Sequence, residues 1–189
     1  MLRKYKHFFL FILCLFLTVY NLGACGVSDV DTGSESSVLD FFESLQDNDA
    51  VPYTLTQQAK VMLSENEDLF LNNSLEGLEA YTDFSLEYKI LAKNIEKYGD
   101  KLMYLPEAYV VSIDETALDE DTTFSELHLM DASENSYYVL SFSAYSDIYE
   151  GDIVSAYALP LGETAFENIG GGTTLAIVLA GSYIEKVEF

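Results

Sequence analysis

The hydrophobic positions along the chain follow three different patterns. An unbroken apolar run extends from Phe8 to Tyr20, directly after a basic start. Between residues 37 and 97 the apolar residues recur with the three-to-four-residue period of amphipathic helices, and from Lys101 onward the period changes to two. The pattern therefore predicts a short apolar leader, then helices, then a region of β-strands.

Three short helices are predicted in the middle region. In the first, the apolar residues from Val38 to Leu45 recur at i, i+3, i+4 and i+7, which places them on one helix face. Thr54 with Gln57 fits a capping box at the start of the second helix. The third ends at Tyr98-Gly99-Asp100, where the polar turn residues stop the pattern. The predicted helices cover residues 37–47, about 55–67 with Thr54 as the cap, and about 86–97.

Five strand-like runs follow, and turn residues separate them. Residues 114–123 form an acidic loop in this prediction, and residues 161–174 form a longer connection that contains three consecutive glycines. Pro106 indicates a bulge or an edge position in the first strand, since proline cannot donate to a ladder. The short hairpin spacings predict antiparallel pairing in a small closed barrel. The predicted strands are Leu102–Ile113, Phe124–Met130, Tyr137–Phe142, Ile153–Leu159 and Leu175–Val187.

The N-terminal residues predict export and lipid anchoring. The apolar run is shorter than the roughly 17–25 residues of a membrane-spanning helix, but it is typical of a signal peptide. It ends at Leu22-Gly23-Ala24-Cys25, which resembles the lipobox of bacterial lipoproteins. The resemblance implies a signal peptide over residues 1–24 and a diacylglyceryl lipid, a palmitate-type anchor, on Cys25. The alternative, an uncleaved single-span anchor, gives the same outward topology.

The resulting organisation has four parts and an extracytoplasmic location. Small, polar and acidic residues from 25 to 36 predict a flexible tether, followed by a helical portion over 37–87 and a β-domain over 88–189. Two acyl chains are enough for stable anchoring. We expect the protein at the outer face of the plasma membrane of a Gram-positive bacterium. Cys14 leaves with the leader and the lipid blocks Cys25, so thiol chemistry and disulfides are excluded.

The charge balance excludes nucleic acid as a partner. The chain has 32 Asp and Glu against nine Lys and Arg, a net charge of −23. Without residues 1–24, six lysines and no arginine remain, and the net charge becomes −26. Nucleic-acid binding depends on cations that neutralise phosphates. A chain without arginine also lacks the bidentate recognition of phosphate that guanidinium groups provide.

The β-region carries a second resemblance. The stretch from Lys93 to Leu102 leads into a strand that ends at Ile113, the turn Glu150-Gly151-Asp152 follows, and the last strand contains Ile184 and Glu185. This layout, over about residues 88–187, looks like the OB-fold domains of Gram-positive secreted or membrane-tethered proteins. The resemblance implies a five-stranded Greek-key barrel behind a small helical portion. It implies no reaction and no catalytic residues.

Three groups of residues are candidates for chemistry or binding. His128 lies opposite Leu127 and Leu129 in the strand alternation, but a lone strand histidine is more often structural than catalytic. Acidic oxygens at 119–121 resemble calcium ligands, although the loop lacks the EF-hand spacing. Tyrosines in the strands offer apolar rings with a polar tip, which suits sugars and proteins. The candidate binding residues are Tyr109, Tyr137, Tyr138, Tyr157, Gly170, Gly171 and Gly172, and the calcium candidates are Asp119, Glu120 and Asp121.

These observations favour a binding or interaction module without catalytic activity or cofactor. Its surface is expected between the 114–123 and 161–174 loops, and its partner is an envelope protein, a peptide or a glycan. One alternative is an envelope hydrolase that uses two carboxylates, since glycoside hydrolysis needs only such a pair. Another is an accessory protein of a transport or secretion system. A carboxylate of raised pKa in a deep cleft would favour the enzyme, and an aromatic patch would favour the module.

Overall fold

The computed structural model describes residues 37–46, 51–167 and 171–188. The predicted leader, Cys25, the tether and Gly170 lie outside these residues, so the expectations for them stay predictions. The described residues belong to one unit in the chain, residues 36–189. Their helices are α1 Val38–Leu45, α2 Gln57–Glu65, α3 Asp68–Leu71 and α4 Tyr88–Asn94, with 3₁₀ turns at Leu78–Tyr81 and Ile95–Lys97. The strands are β1 Met103–Ala117, β2 Thr123–Met130, β3 Ser136–Ser141, β4 Ile153–Glu167 and β5 Thr173–Lys186.

The five strands form a mixed sheet that closes into a ring, in the order β1-β2-β3-β5-β4 and back to β1. The prediction of a mainly β protein with N-terminal helices is confirmed. The prediction of purely antiparallel pairing is wrong, because β3 and β5 run parallel. These two strands are separated in the chain by β4, so no hairpin spacing could reveal their pairing.

The predicted ends of β1 and β4 are wrong, since both strands are longer than the alternation suggested. Each has 15 residues, and β1 runs through the first part of the expected acidic loop. Register shifts lie in β1 between Leu105 and Ala108, and in β4 between Pro160 and Gly162. Of the two alternatives predicted at Pro106, a bulge or an edge position, the bulge is therefore confirmed. A bulge breaks the period of two and bends the strand, so a simple alternation ends too early.

The helices begin close to their predicted positions, with one correction at α2. Ser37 caps α1 in a reciprocal capping box with Asp40. The cap of α2 is Thr56, whose Oγ1 accepts a hydrogen bond from the backbone of Ala59 at 3.1 Å, and not Thr54. The Thr56 backbone N–H donates to Leu161 of β4 at 2.9 Å. The chain is therefore still extended along β4 at Thr54, and the helix starts two residues later.

Buried apolar side chains form two clusters on either side of the sheet. One fills the interior of the ring, where Leu127, Leu129 and Tyr137 meet, and α4 contributes Leu91 to it. The other lies between the helices and the outer face of the ring. The helices thus cover one side of the ring. The outer cluster includes Phe42, Leu63, Phe124, Leu140, Leu161 and Val178.

Asn73 ties the helical segment to the end of the sheet. Its side-chain Oδ1 accepts from the backbone N–H of Ile184 at 2.9 Å, and its Nδ2 donates to the Ile184 carbonyl at 3.4 Å. The amide thus extends the β5 pairing as a strand backbone would. Asn73 has a left-handed φ of 41°, a conformation that asparagine tolerates better than most residues.

Candidate functional site

The outer face of β2 carries His128, as the sequence alternation predicted. Leu127 and Leu129 point into the ring, while Glu126 and His128 lie on the opposite face and are only partly buried. On β3, Tyr138 lies directly opposite His128 in the pairing register. The predicted orientation of His128 is therefore confirmed.

His128, Tyr138 and Phe166 form a three-ring cluster, which we call the aromatic face. The imidazole of His128 stacks on the ring of Tyr138, with centroids 4.8 Å apart and planes at 15°. Phe166 meets both rings edge-on, at 5.6 Å from His128 and 5.8 Å from Tyr138. All three side chains are partly exposed. Such rings offer a large apolar surface at low conformational cost.

The aromatic face lies between two turns of the ring. The β1–β2 turn precedes β2, at the end where Phe124 packs under α1. The β4–β5 turn follows Phe166 near the opposite end. The sequence placed its expected binding surface between these two connections.

Two carboxylates adjoin the aromatic face, and we call Asp114 and Glu126 the acidic pair. They lie opposite each other on β1 and β2, where cross-strand side chains are neighbours. Burial, and then the charge of Asp114, raise the pKa of Glu126 to about 7. Among the residues that the structure describes, none donates a hydrogen bond to the Glu126 carboxylate. This side chain is therefore available both to accept and, when protonated, to donate.

Burial lowers the pKa of the His128 imidazole, which favours its neutral form. Its Nε2 lies 3.3 Å from the hydroxyl of Ser136, so one of the two ring nitrogens has a hydrogen-bond partner. A neutral ring stacked on Tyr138 behaves as part of an aromatic surface, and not as a fixed cation. The residue is suited to packing against a ligand and to one hydrogen bond.

The four predicted tyrosines do not share one surface. Tyr138 lies in the aromatic face, whereas Tyr137, its neighbour on β3, is 1% exposed and donates from its hydroxyl to Asp131 at 3.0 Å. Tyr109 is 41% exposed, and its hydroxyl lies near Gly151 in the turn before β4. Tyr157 packs among other aromatic rings on β1 and β5. Alternation along a strand separates Tyr137 from Tyr138, although they are adjacent in sequence.

Two of the candidate binding glycines lie in the exposed β4–β5 turn, and the calcium candidates lie in the exposed β1–β2 turn. Gly171, with a left-handed φ of 76°, and Gly172 precede β5. In the β1–β2 turn, Asp119 accepts from the backbone N–H groups of Asp121 and Thr122, at 2.9 and 2.7 Å. These hydrogen bonds lower the pKa of Asp119. Its carboxylate therefore holds the turn, and within the described ranges no group of three or more His, Cys, Asp or Glu is arranged to hold a metal ion.

The structure also contains a cleft of about 590 Å³. Its lining residues are Gln46, residues 52–54, Ile95 and Glu96 of the 3₁₀ turn, and Gly162 and Glu163 of β4. Its carboxylates are Glu96 and Glu163. None of the aromatic face or of the acidic pair lines it, so the carboxylate of raised pKa does not lie in this cleft.

Phe166 is the site residue that the sequence did not predict. The alternation ended β4 at Leu159 and assigned Phe166 to the connection, whereas the strand continues to Glu167. The signal that could have found it is the alternation of Thr164 and Phe166 beyond the bulge at Pro160–Gly162. Its contact with β2 and β3 depends on the closure of the ring, which no local pattern contains.

Comparison with known proteins gives no match, whether with family models, with curated proteins or with solved structures. The function of this protein therefore has to be inferred from its own residues. In the part of the chain that the structure describes, no helix is both long and apolar enough to cross a membrane.

Proposed function

We propose that this protein is a non-enzymatic binding module, held by a lipid on Cys25 at the outer face of a Gram-positive plasma membrane, and that its aromatic face binds an envelope glycan. The support for the address is the apolar run and the lipobox-like Leu22-Gly23-Ala24-Cys25. The single observation that carries the binding role is the stack of His128, Tyr138 and Phe166 on the outer face of β2 and β3.

The chemistry of the face favours a neutral sugar as the ligand. Sugar rings carry apolar C–H faces that pack on aromatic rings, and hydroxyl groups that donate to carboxylates. The aromatic face and the acidic pair offer both partners side by side. The net charge of −23 repels polyanions, so an uncharged glycan is favoured over a phosphate-rich polymer.

An OB-like Greek-key barrel is the fold that we propose for the ring. Its support is the strand order, because β4 returns beside β1 and gives the sequence 4-1-2-3 that defines a Greek key. The ring departs from the OB pattern in the position of its helix. Here α4 precedes β1, and the segment between β3 and β4 contains no helix. Packing of Leu91 against the ring interior nevertheless closes the ring as a capping helix would.

The test is retention of the full-length chain on purified peptide-free glycan strands. We expect Tyr138→Ala and Phe166→Ala to weaken binding about tenfold. Removal of an aromatic side chain on which a ligand ring stacks typically costs about 1–3 kcal/mol, as measured for nucleobases. Tyr149→Ala, which removes a tyrosine that is 62% exposed in the turn before β4, is the matched control and should bind as the parent does. Equal binding by all three variants would exclude the aromatic face as the site.

A hydrolase remains the second candidate, because Glu126 has a raised pKa beside Asp114. The same glycan, incubated with the full-length chain, distinguishes the two functions by the reducing ends released. New reducing ends that disappear in Glu126→Gln would establish the hydrolase. Retention without release, with Glu126→Gln still binding, would establish the module. A protein partner recovered by crosslinking in intact cells, without glycan retention, would replace the glycan in this proposal.

A further inference from the structure

A second aromatic surface lies on the outside of β1, β4 and β5, and it shares no residue with the aromatic face. Tyr104, Tyr157 and Tyr183 stand opposite one another across these three strands. The rings of Tyr104 and Tyr157 lie 4.6 Å apart, and those of Tyr157 and Tyr183 lie 6.5 Å apart. The three side chains form one continuous row that is only partly buried.

Phe84 completes this surface from a neighbouring loop. It is 59% exposed, yet its ring lies edge-on to Tyr104 at 5.9 Å and to Tyr157 at 6.4 Å. The loop is held in place because Leu102 pairs with the backbone of Tyr81 and Asp83, each at 2.9 Å. Backbone hydrogen bonds thus fix a large apolar ring at the surface. In this exposed position the ring gains little free energy from burial.

The carboxylates of Glu79 and Glu185 border the row. The Tyr183 hydroxyl donates to Glu185 at 2.7 Å. Burial, Tyr104 and the charges of Glu79 and Glu185 raise the pKa of Tyr157, so both carboxylates act on the row. Of the ion pairs among the described residues, none involves either carboxylate.

We propose that Phe84, Tyr104, Tyr157 and Tyr183 form a docking surface for a basic segment of a partner protein, whose lysine or arginine side chains lie on the rings and pair with Glu79 and Glu185. Ring faces attract cations, and nearby carboxylates add to that attraction. The predicted tether, residues 25–36, carries only acidic charges and so supplies no such cation.

The experiment measures binding of a fluorescent hexalysine peptide to the full-length chain near physiological salt. The general attraction of a net charge of −23 is the same in variants that keep every charged residue. Phe84→Leu preserves an apolar side chain but removes the ring, so we expect it to weaken binding about two- to fivefold, as Phe84→Ala does. Phe84→Trp should bind at least as tightly as the parent, since Trp is the best cation–π partner.

The control is Tyr149→Ala, which removes an aromatic ring of similar exposure at another site and should leave hexalysine binding unchanged. Thermal melting of each variant verifies that it is folded. Parent-like affinity of Phe84→Leu would overturn the proposal, because the surface would then need only apolar contact. Equal affinity of all variants would overturn it too, since net charge alone would explain binding. If binding to phosphatidylcholine vesicles depends on Phe84 and binding of hexalysine does not, the surface would instead be assigned to lipid.

Discussion

At the scale of single residues, the neighbours across the strands decide what each side chain does. Glu126 is one of 32 acidic residues in the chain, and its sequence context does not distinguish it. The structure places it partly buried opposite Asp114, and burial and the charge of Asp114 raise its pKa to about 7. His128 lies two residues further along β2 on the same face, and burial alone lowers its pKa.

The raised pKa of Glu126 predicts a specific pH dependence of stability. The folded chain keeps this proton up to a pH of about 7, whereas an unfolded chain releases it near the ordinary value of 4.5. The contribution of Glu126 is therefore fully present below pH 4.5 and lost as the pH rises through about 7. Relative to the parent, we expect Glu126→Gln to gain on the order of 2 kcal/mol of unfolding free energy between pH 5 and pH 8.

Urea unfolding of the full-length chain at a series of pH values measures this difference. Glu107→Gln, at an exposed position of β1, is the matched control, and its difference from the parent should stay constant. The other titrating groups are common to all three proteins, so only the differences matter. A constant difference between Glu126→Gln and the parent from pH 5 to pH 8 would refute the assignment.

At the scale of elements, close backbone contacts hold the helical segment on the ring. Gly162 lies in the β4 bulge, and a Cβ at this position would come within 2.4 Å of the Thr54 carbonyl oxygen. The segment before α2 approaches here because Thr56 donates to Leu161. Only the absence of a side chain allows this approach. The sequence contains the glycine, but its function depends on a segment about a hundred residues earlier in the chain.

Gly162→Ala is therefore expected to destabilise the fold by about 2 kcal/mol or more, since the obstructing atoms belong to the backbone and cannot rotate away. The measurement is urea unfolding of the full-length chain. Gly171→Ala serves as the control, because a Cβ there would meet nothing within 4 Å and would cost only the strain of its positive φ, about 1 kcal/mol. Equal losses in the two variants would show that the contact with Thr54 is unimportant.

At the scale of the whole molecule, the proposed anchor decides which partners the two aromatic surfaces can meet. Metabolic labelling with an alkyne fatty acid, followed by mass spectrometry, tests the anchor directly. We expect the parent to carry the label and to lack residues 1–24, and Cys25→Ala to lack the label and retain them, because the lipobox resemblance implies cleavage before a lipidated Cys25.

Cys14→Ala is the matched control, since it removes the other cysteine of the chain and should be labelled as the parent is. An unlabelled parent that retains its leader would instead establish the uncleaved single-span anchor. In either case the ring would face the cell envelope, but only the lipid-anchored form would carry the predicted tether as its N-terminus.

The sequence by itself determined the features that depend on local pattern: three helices near their observed positions, five strands in order, the irregularity at Pro106 and the outward orientation of His128. Periodicity contains this information because each side chain's direction follows from its position in the element. The tertiary structure alone decided the parallel β3–β5 pair, the contact of Phe166 with His128, and the row of Tyr104, Tyr157 and Tyr183. These contacts join residues distant in the chain, and closure of the ring and packing of the helices bring them together. Bulges also shift the strand period, so the alternation could not be extrapolated through β1 and β4.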